Sequence, residues 1–284
     1  MSLYAQTSAD VNDQLSARNF TRLAEYIYAY SGIKMPSSKK SMLEGRLRRC
    51  VRGARLQSLN EYCTYLFDQG GLEAESVKIF DAVTTNKTDF FREPAHFDFL
   101  VSTVLPALVA AGRTKIKLWS SASSTGAEAY TLAMVLEEFS RTHKKIDYSM
   151  LCTDLSTKVL KQAHEAIFSR EVIEPVPAAL RQRYLMRAID KQRDEVRVIP
   201  DIRAKHSFAR VNLMDETYSV ARDMDIIFCR NVLIYFDKKT QEEVLRRLCG
   251  HLRVGGYLFL GHSESLSGID LPVKAVANTV FQRY

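Results

Sequence analysis

The sequence predicts an α/β protein in which a parallel sheet, covered by helices on both faces, follows an all-α N-terminal domain. Apolar residues recur at helical spacing over about residues 17–75, where no strand pattern occurs. After about residue 95, strand-like and helix-like segments alternate, an order that typically builds a parallel sheet between two layers of helices. A charged, proline-containing stretch over about residues 168–210 interrupts this alternation, so we expect an insertion there.

The N-terminal helices are predicted from apolar stripes and from residues typical of helix ends. Gly32 is a typical stop for the first helix, SARNFTRLAEYIYAYSG. The third helix, SLNEYCTYLFDQGG, has Ser58 as its predicted N-cap and ends before Gly70. The second, SKKSMLEGRLRRCVRGARL, places three arginines on one face and an apolar stripe on another; these are Arg48, Arg52 and Arg55, and Leu43, Leu47, Cys50, Val51 and Ala54.

The second half of the chain supplies the strands of the predicted sheet. They lie in KIKLWSSAS, DYSMLCTDLS, SFARVNL, DMDIIFCRN and GGYLFLGHS, with helices in TGAEAYTLAMVLEEFSR, STKVLKQAHEAI and QEEVLRRLCGHL. The segment EVRVIPDIRAKHSF alternates like a small antiparallel ribbon, which makes the insertion a β-subdomain. We therefore expect a helical domain over residues 1–78, a linker over 79–95, and an α/β domain over 96–284 that carries the insertion.

Composition excludes several classes of protein. Of the 284 residues, 46% are hydrophobic and 26% charged, which is typical of a globular chain. No apolar run approaches the roughly 18 residues of a membrane span, and MSLYAQTSADVNDQ does not resemble an export signal. The five cysteines and six histidines are dispersed, without metal-ligand spacing. We expect a cytoplasmic protein with no disulfide framework, no metal site and no membrane insertion.

The positive charge is concentrated in one segment. Lys34–Arg55 holds eight basic residues and one acid, Glu44, a balance of 8 − 1 = +7 that equals the net charge of the whole chain. Such a segment is a solvated face, a nucleic-acid patch or a dock for an acidic protein. It contains no aromatic residue, which weakens the case for single-stranded nucleic acid, where bases stack on aromatic rings.

Polar residues follow each predicted strand, where an open α/β sheet binds its ligands. They are the loop Ser120–Gly126, then Asp154, Asn212, and the pair Arg230 and Asn231. Asp154 is placed either to accept from ribose hydroxyls or to cap the next helix. Glu128 opens the first helix of the α/β domain, where an acid also complements the helix dipole. TTNKTDFFRE (84–93) reads by itself as a linker with an aromatic anchor.

Taken in order, these segments resemble the chemotaxis receptor methyltransferase family, usually called CheR. The most specific blocks are FCRNVLIYFD and GGYLFLGHSE, and the resemblance extends over TTNKTDFFRE, LWSSASSTGAEAY, CTDLS, RVNL and the basic helix. It implies a Rossmann-like, S-adenosylmethionine-dependent methyltransferase sheet. Such an enzyme transfers a methyl group to glutamate side chains on the cytoplasmic helices of methyl-accepting chemotaxis receptors. The products are glutamyl methyl esters and S-adenosylhomocysteine.

The resemblance also implies roles for individual residues. The linker would contribute to the cofactor site, and Arg92 and Tyr235 would lie nearest the transferred methyl. The β insertion would in some members grip a peptide at the receptor's C-terminus. The expected cofactor contacts are Asn86, Thr88, Arg92, Glu128, Asp154, Asn212, Leu213, Arg230 and Asn231. The expected receptor-docking residues on the basic helix are Arg46, Arg48, Arg49, Arg52 and Arg55.

Two departures and two rival functions bear on this interpretation. The family often reads G-E-E-P-Y where this chain has Gly126-Ala127-Glu128-Ala129-Tyr130, and the turn in MRAIDKQRDEVRV lacks glycine.

A nucleic-acid methyltransferase would typically carry a motif such as N/D-P-P-Y where this chain reads RNVLIY. A non-catalytic cofactor sensor is disfavoured because Arg92, Asp154, Arg230, Asn231 and Tyr235 are all retained.

Overall fold

The structure is a computed structural model that describes residues 13–143, 146–190 and 192–284. Two compact units divide the chain, Met1–Thr85 and Asn86–Tyr284. Residues 1–12, which bear on the expected absence of an export signal, lie outside the described residues. In the described part of the chain, no helix combines the length and apolar character needed to cross a bilayer.

The first unit is helical, as predicted. Gly32 ends the first helix in the left-handed conformation, with φ +70°, and the Ser58 hydroxyl caps the third by accepting from the Glu61 N–H. The fourth helix was not predicted as a separate element; it forms because Ile79, Phe80 and Val83 bury one face. The helices are α1 Ala17–Ser31, α2 Lys40–Gly53, α3 Leu59–Asp68 and α4 Leu72–Val83, with a 3₁₀ turn at Ser37–Lys39.

Helix α2 is shorter than its sequence pattern predicted. It ends at Gly53, and Arg55 lies beyond it with φ +59°. The prediction that Arg55 shares a helical face with Arg48 and Arg52 is therefore wrong. The apolar stripe was predicted correctly as far as Val51, since Leu43, Leu47, Cys50 and Val51 are buried.

The second unit alternates strands and helices. Its elements are α5 Ala95–Phe99, a π-helical turn Leu100–Val104, α6 Leu105–Ala110, β1 Lys115–Ser120, α7 Ala127–Thr142, β2 Asp147–Asp154, α8 Thr157–Glu165, β3 Ile167–Ser169, α9 Ala178–Tyr184, β4 Leu185–Arg187, β5 Glu195–Val198, α10 Pro200–Arg203, β6 His206–Arg210, β7 Met224–Cys229, a 3₁₀ turn Leu233–Tyr235, α11 Lys238–His251, β8 Leu252–Leu260, β9 Val273–Ala277 and β10 Val280–Arg283. The helices α5 and α6 were not predicted.

The main sheet has seven strands in the order β6-β2-β1-β7-β8-β10-β9. Strands β6, β2, β1, β7 and β8 run parallel, as predicted, while β10 is antiparallel to both β8 and β9. Every residue of β7 is buried, because alternate side chains enter two different cores. Ile226 and Phe228 join one core, whereas Ile227 and Cys229 join the other.

The insertion forms a separate antiparallel sheet in the order β3-β5-β4. The predicted ribbon over EVRVIPDIRAKHSF is wrong beyond Val198. Pro200 begins the short helix α10, and β6 then pairs in parallel with β2, with His206 opposite Met150. Strand β6 therefore belongs to the main sheet, where its carboxyl end lies beside that of β2.

Candidate functional site

The carboxyl ends of four parallel strands bring the predicted polar residues to one edge of the sheet. The Ser121 N–H after β1 donates to the Phe228 carbonyl of β7 over 2.9 Å. On the other side, the Val211 N–H after β6 donates to the Asp154 carbonyl of β2 over 3.2 Å. This backbone pairing places Asn212 and Leu213 beside Asp154, and Arg230 beside the β1 loop. Parallel strands bind ligands at this edge.

Asp154 holds the loop that follows β1. Its Oδ2 accepts from the Ser124 N–H over 2.9 Å, and its Oδ1 accepts from the Ser156 N–H over 3.0 Å. Helix α8 is capped by Ser156, whose hydroxyl accepts from the Val159 N–H, so the alternative that Asp154 is the helix cap is wrong. A carboxylate at the carboxyl end of a parallel strand is also the usual hydrogen-bond acceptor for ligand hydroxyls.

The β1 loop turns into helix α7 through Gly126. Its φ of +90° is a conformation that residues with a side chain seldom adopt. A Cβ added there would also lie 3.0 Å from the Ala163 Cβ and 3.1 Å from the Tyr130 ring. The loop is therefore closely packed at the point where the helix begins. Ser123 Oγ, in the same loop, is buried with no hydrogen-bond partner among the described residues, a feature typical of ligand sites.

The segment carrying Asn86, Thr88 and Arg92 lies against this loop. The Ser124 hydroxyl donates to the Asn86 carbonyl over 2.8 Å, and the Phe91 N–H donates to the Thr131 hydroxyl over 3.1 Å. Thr88 is partly exposed. The Arg92 side chain is 38% exposed, and its Nη1 donates to the Lys87 carbonyl over 3.3 Å. Most of its guanidinium donors thus remain available to a ligand.

Arg230 lies buried between two carboxylates. Its Nη2 is 3.0 Å from Glu93 Oε2 and also donates to the Arg92 carbonyl, and its Nη1 is 3.4 Å from Glu128 Oε2. The Ser120 hydroxyl donates to Glu128 Oε1 over 2.7 Å. Burial raises the pKa of Glu128, although Arg230 and the Ser120 hydroxyl oppose that rise. Burial also acts to raise the pKa of Glu93. The hydrogen bond from the Asn231 amide and the charge of Arg230 act more strongly in the opposite direction, so the pKa of Glu93 is lowered.

Asn231 is held in the left-handed region, with φ +58°. Its N–H donates to Glu264 Oε2 over 3.0 Å, and its side-chain amide donates to Glu93 Oε1 over 3.0 Å. Glu264 also accepts from the Leu233 and Gly261 N–H groups at 2.7 and 2.6 Å. This carboxylate ties the turn after β7 to the turn after β8. The turn after β7 carries Tyr235, which is partly exposed.

Sequence reasoning missed several residues of this site. Glu93 and Glu264 lie inside the family-like segments TTNKTDFFRE and GGYLFLGHSE but were not among the predicted site residues. Ser120 was predicted only as part of the loop that follows β1. Glu93 accepts from Asn231 across 138 positions of sequence, and Glu264 accepts from it across 33. The position of a charged residue directly after a strand or before a helix could have marked it as a candidate site residue. Its hydrogen-bond partners, however, are known only from the fold.

The basic residues of the first unit have different environments. Arg46 Nη1 donates to the Val83 and Thr84 carbonyls at 2.5 and 3.1 Å, and Arg48 Nη2 donates to the Asp13 carbonyl at 3.1 Å. These two side chains are partly buried and join parts of the helical unit to one another. Arg49, Arg52 and Arg55 are exposed.

Comparisons with known proteins agree over nearly the whole chain. Residues 86–281 match the model described as "CheR methyltransferase, SAM binding domain", and residues 18–84 match "CheR methyltransferase, all-alpha domain". A chemotaxis protein methyltransferase of Borreliella burgdorferi is 33% identical over 269 residues, or 93% of each chain. Chemotaxis protein methyltransferase 2 of Pseudomonas aeruginosa is 35% identical over 93% of this chain and 92% of its own. The Escherichia coli chemotaxis protein methyltransferase is 34% identical over 94% and 91%.

Proposed function

The chain belongs to the CheR methyltransferase family, and from that premise we propose that it methylates glutamate side chains of chemotaxis receptors. It is an S-adenosylmethionine-dependent methyltransferase, and its products are glutamyl methyl esters and S-adenosylhomocysteine. The observation that carries the proposal is the family match over residues 86–281, which spans the strand ends and loops of the site. Because the receptor glutamates of this family lie on cytoplasmic helices, we also infer a cytoplasmic location.

The residues at the sheet edge fit S-adenosylmethionine in their chemistry. Asp154 is a carboxylate of the kind that accepts from ribose hydroxyls, at the end of β2. The buried Ser123 Oγ has no hydrogen-bond partner among the described residues, and a polar ligand would supply one. The bound cofactor supplies a methyl group attached to a sulfonium. The contacts proposed for it are Asn86, Thr88, Arg92, Glu128, Asp154, Asn212, Leu213, Arg230 and Asn231.

Transfer of the methyl group requires little acid–base chemistry from the protein. A glutamate carboxylate, with a pKa near 4.3, is ionised at neutral pH, and the sulfur leaves as a neutral thioether. The protein must therefore orient the carboxylate and exclude water from it. We propose that Arg92 orients the carboxylate through its exposed guanidinium donors, and that Tyr235 lines the methyl-transfer position. Arg230 holds the Arg92 carbonyl, which fixes the backbone from which that guanidinium extends.

Receptor docking is proposed for the exposed part of the basic segment. Acidic receptor helices would attract Arg49, Arg52 and Arg55, whose side chains are exposed. Arg46 and Arg48 were predicted to dock as well, but their hydrogen bonds support a structural role within the helical unit. The division of labour proposed is therefore docking by the helical unit and catalysis by Asn86–Tyr284.

A second receptor contact is proposed at the β insertion. A groove of about 570 Å³ there is lined by an apolar floor and a basic rim. This pairing supports a peptide that carries both apolar and acidic side chains, such as a receptor C-terminal tail. The floor includes Ile173, Leu185 and Val196, and the rim includes Arg170, Arg181 and Arg187.

The test is a methylation assay with radiolabelled S-adenosylmethionine and receptor-containing membranes. Label on the receptor that alkali releases as volatile methanol would establish a carboxyl methyl ester. Label that survives alkali would contradict the proposal in favour of nitrogen methylation. The absence of label, together with tight binding of S-adenosylhomocysteine in calorimetry, would also contradict it and would indicate a cofactor-sensing protein.

A further inference from the structure

Three possible metal ligands meet beside the proposed catalytic site. One ligand atom each from Glu93, His96 and His262 lies within 4.8 Å of the others. His96 Nδ1 is 3.5 Å from Glu93 Oε2, and His262 Nε2 is 3.9 Å from that oxygen. Tetrahedral Zn²⁺, with bonds of about 2.0–2.2 Å to nitrogen and oxygen, holds its ligand atoms roughly 3.3–3.5 Å apart. The two distances to Glu93 Oε2 are close to that spacing, and the ligand atoms of the two histidines lie within 4.8 Å of each other.

His96 provides an independent sign of a ligand. Its side chain is only 3% exposed, and its Nδ1 has no hydrogen-bond partner among the described residues. The other ring nitrogen, Nε2, lies 2.9 Å from the Thr279 hydroxyl oxygen. When Nε2 carries the proton and donates to Thr279, Nδ1 directs a lone pair toward the carboxylate of Glu93. A buried, unpaired lone pair facing an anion is costly, and a cation between the two groups would remove that cost.

His262, the third ligand, lies on the side of the cluster that faces solvent. The His262 side chain is 47% exposed, while its ring lies 5.0 Å from that of His96. An ion could therefore enter from the His262 side and leave a fourth position open to water. Two imidazoles and one carboxylate suit Zn²⁺, whereas Mg²⁺ and Ca²⁺ prefer oxygen ligands.

A network of charged side chains surrounds the cluster. Three carboxylates, those of Glu93, Glu128 and Glu264, are linked through Arg230 and Asn231. Arg230 supplies the buried positive charge of this network, and the Arg92 guanidinium, 4.0 Å from Glu93, is partly exposed. Burial raises the pKa of Glu128 and of Glu264, so the carboxylate charge that faces an ion in this cluster is that of Glu93.

We propose that Glu93, His96 and His262 form a Zn²⁺ site, and that filling it weakens cofactor binding. Glu93 Oε2 lies 3.0 Å from Arg230 Nη2 and accepts from the His262 N–H over 3.2 Å, so an ion on this oxygen would have to displace one of these donors. Zn²⁺ on that oxygen competes with the guanidinium and loosens the turn that holds Asn231. Spacing along the sequence gave no indication of this site, because His262 lies 166 positions after His96 (262 − 96). The effect on the cofactor rests on the proposed function, whereas the ion site does not.

The experiment uses the full chain, free of any polyhistidine tag and treated with chelator. Zn²⁺ alone is titrated against the protein in competition with a chromophoric indicator. The wild-type chain should bind one ion, and His262→Ala should lose at least about tenfold in affinity, on the scale of a disrupted metal site. His164→Ala, which removes an exposed histidine outside the cluster, should bind as the wild type does. Equal Zn²⁺ affinity in the wild type and His262→Ala would overturn the site.

The coupling is tested with S-adenosylhomocysteine in calorimetry, with and without Zn²⁺. Saturating Zn²⁺ should lower its affinity severalfold in the wild type and have little effect in His262→Ala. Unchanged affinity in the wild type would overturn the coupling. The receptor assay is scored separately: zinc binding without receptor methylation would contradict the proposed function and leave the ion site standing.

Discussion

At the scale of single residues, some side chains of the proposed site hold its structure together, whereas others face the ligand. Arg230 is buried and holds Glu93, Glu128 and the Arg92 carbonyl together. Arg92, by contrast, is partly exposed and donates to one carbonyl. Substitutions at these two arginines should therefore have different consequences, although both lie in the same network.

Arg92→Ala should reduce turnover by about tenfold or more and leave the melting temperature nearly unchanged. Its guanidinium makes few contacts within the protein, so removing it should impair the orientation of the substrate carboxylate and leave the folded structure intact. Receptor methylation and thermal unfolding measure the two effects. Arg92→Lys, which keeps the charge and loses the fork of donors, should recover only part of the activity. Wild-type turnover in Arg92→Ala would refute the role proposed for this residue.

Arg230→Met should destabilise the fold by about 3 kcal/mol and abolish cofactor binding. Removing one member of a buried charge network leaves its partners uncompensated, in this case Glu93 and Glu128. Chemical denaturation and S-adenosylhomocysteine calorimetry provide the measurements. Arg246→Met is the matched control, since Arg246 pairs with Glu242 on the exposed surface of α11 and should cost no more than about 0.5 kcal/mol. Similar losses in the two variants would contradict this account of the network.

At the scale of elements, the loop between β1 and α7 depends on a backbone that only glycine adopts easily. Gly126→Ala should destabilise the protein by about 1–3 kcal/mol, because φ is +90° and the new Cβ would lie 3.0 Å from Ala163. Cofactor affinity should fall as well, since the loop must shift. Gly112→Ala tests strain alone, because Gly112 has φ +78° and open space around it. An equal effect at both positions would show that close packing at Gly126 contributes nothing.

Strand β6 begins with a histidine whose burial makes stability depend on pH. Burial lowers the pKa of His206 below its ordinary value of 6.5. The unfolded chain therefore binds a proton at this histidine more readily than the folded chain does. The contribution of neutral His206 to stability is full above pH 6.5 and is lost as the pH falls below that value. In His206→Gln, the free energy of unfolding should decline less steeply between pH 6.5 and 5 than it does in the wild type. Identical slopes would show that His206 does not titrate with folding.

The sequence predicted those elements whose signals are local. The parallel strands were identified by apolar runs, and the caps of α1 and α3 by Gly32 and Ser58. The predicted ribbon was right for β5 but extended too far, because the alternation continues past Pro200 into β6, which pairs with β2. The hairpin β9–β10 was missed for a related reason, since its strands are short and only partly buried. Site residues were predicted where they directly follow strands, whereas Glu93 depends on partners distant in sequence.

At the scale of the whole molecule, composition alone overstates how many basic side chains are available for docking. Lys34–Arg55 carries a balance of +7, yet Arg46 and Arg48 use their donors within the helical unit. The exposed arginines Arg49, Arg52 and Arg55 remain the proposed attraction for an acidic receptor. Attraction of this kind acts at the surface and is therefore screened by salt.

Replacing Arg49, Arg52 and Arg55 together by Gln should raise the KM for receptor by about tenfold at low salt and leave S-adenosylhomocysteine affinity unchanged. Each exposed pair contributes roughly 0.2–1 kcal/mol, so three together approach one factor of ten. Added salt should narrow the difference from the wild type, because screening weakens the same contacts. The matched control, Lys238→Gln, Lys239→Gln and Arg246→Gln, removes the same charge from exposed positions on α11. If both triple variants lose receptor affinity equally, net charge governs the encounter and the basic segment is not a dock.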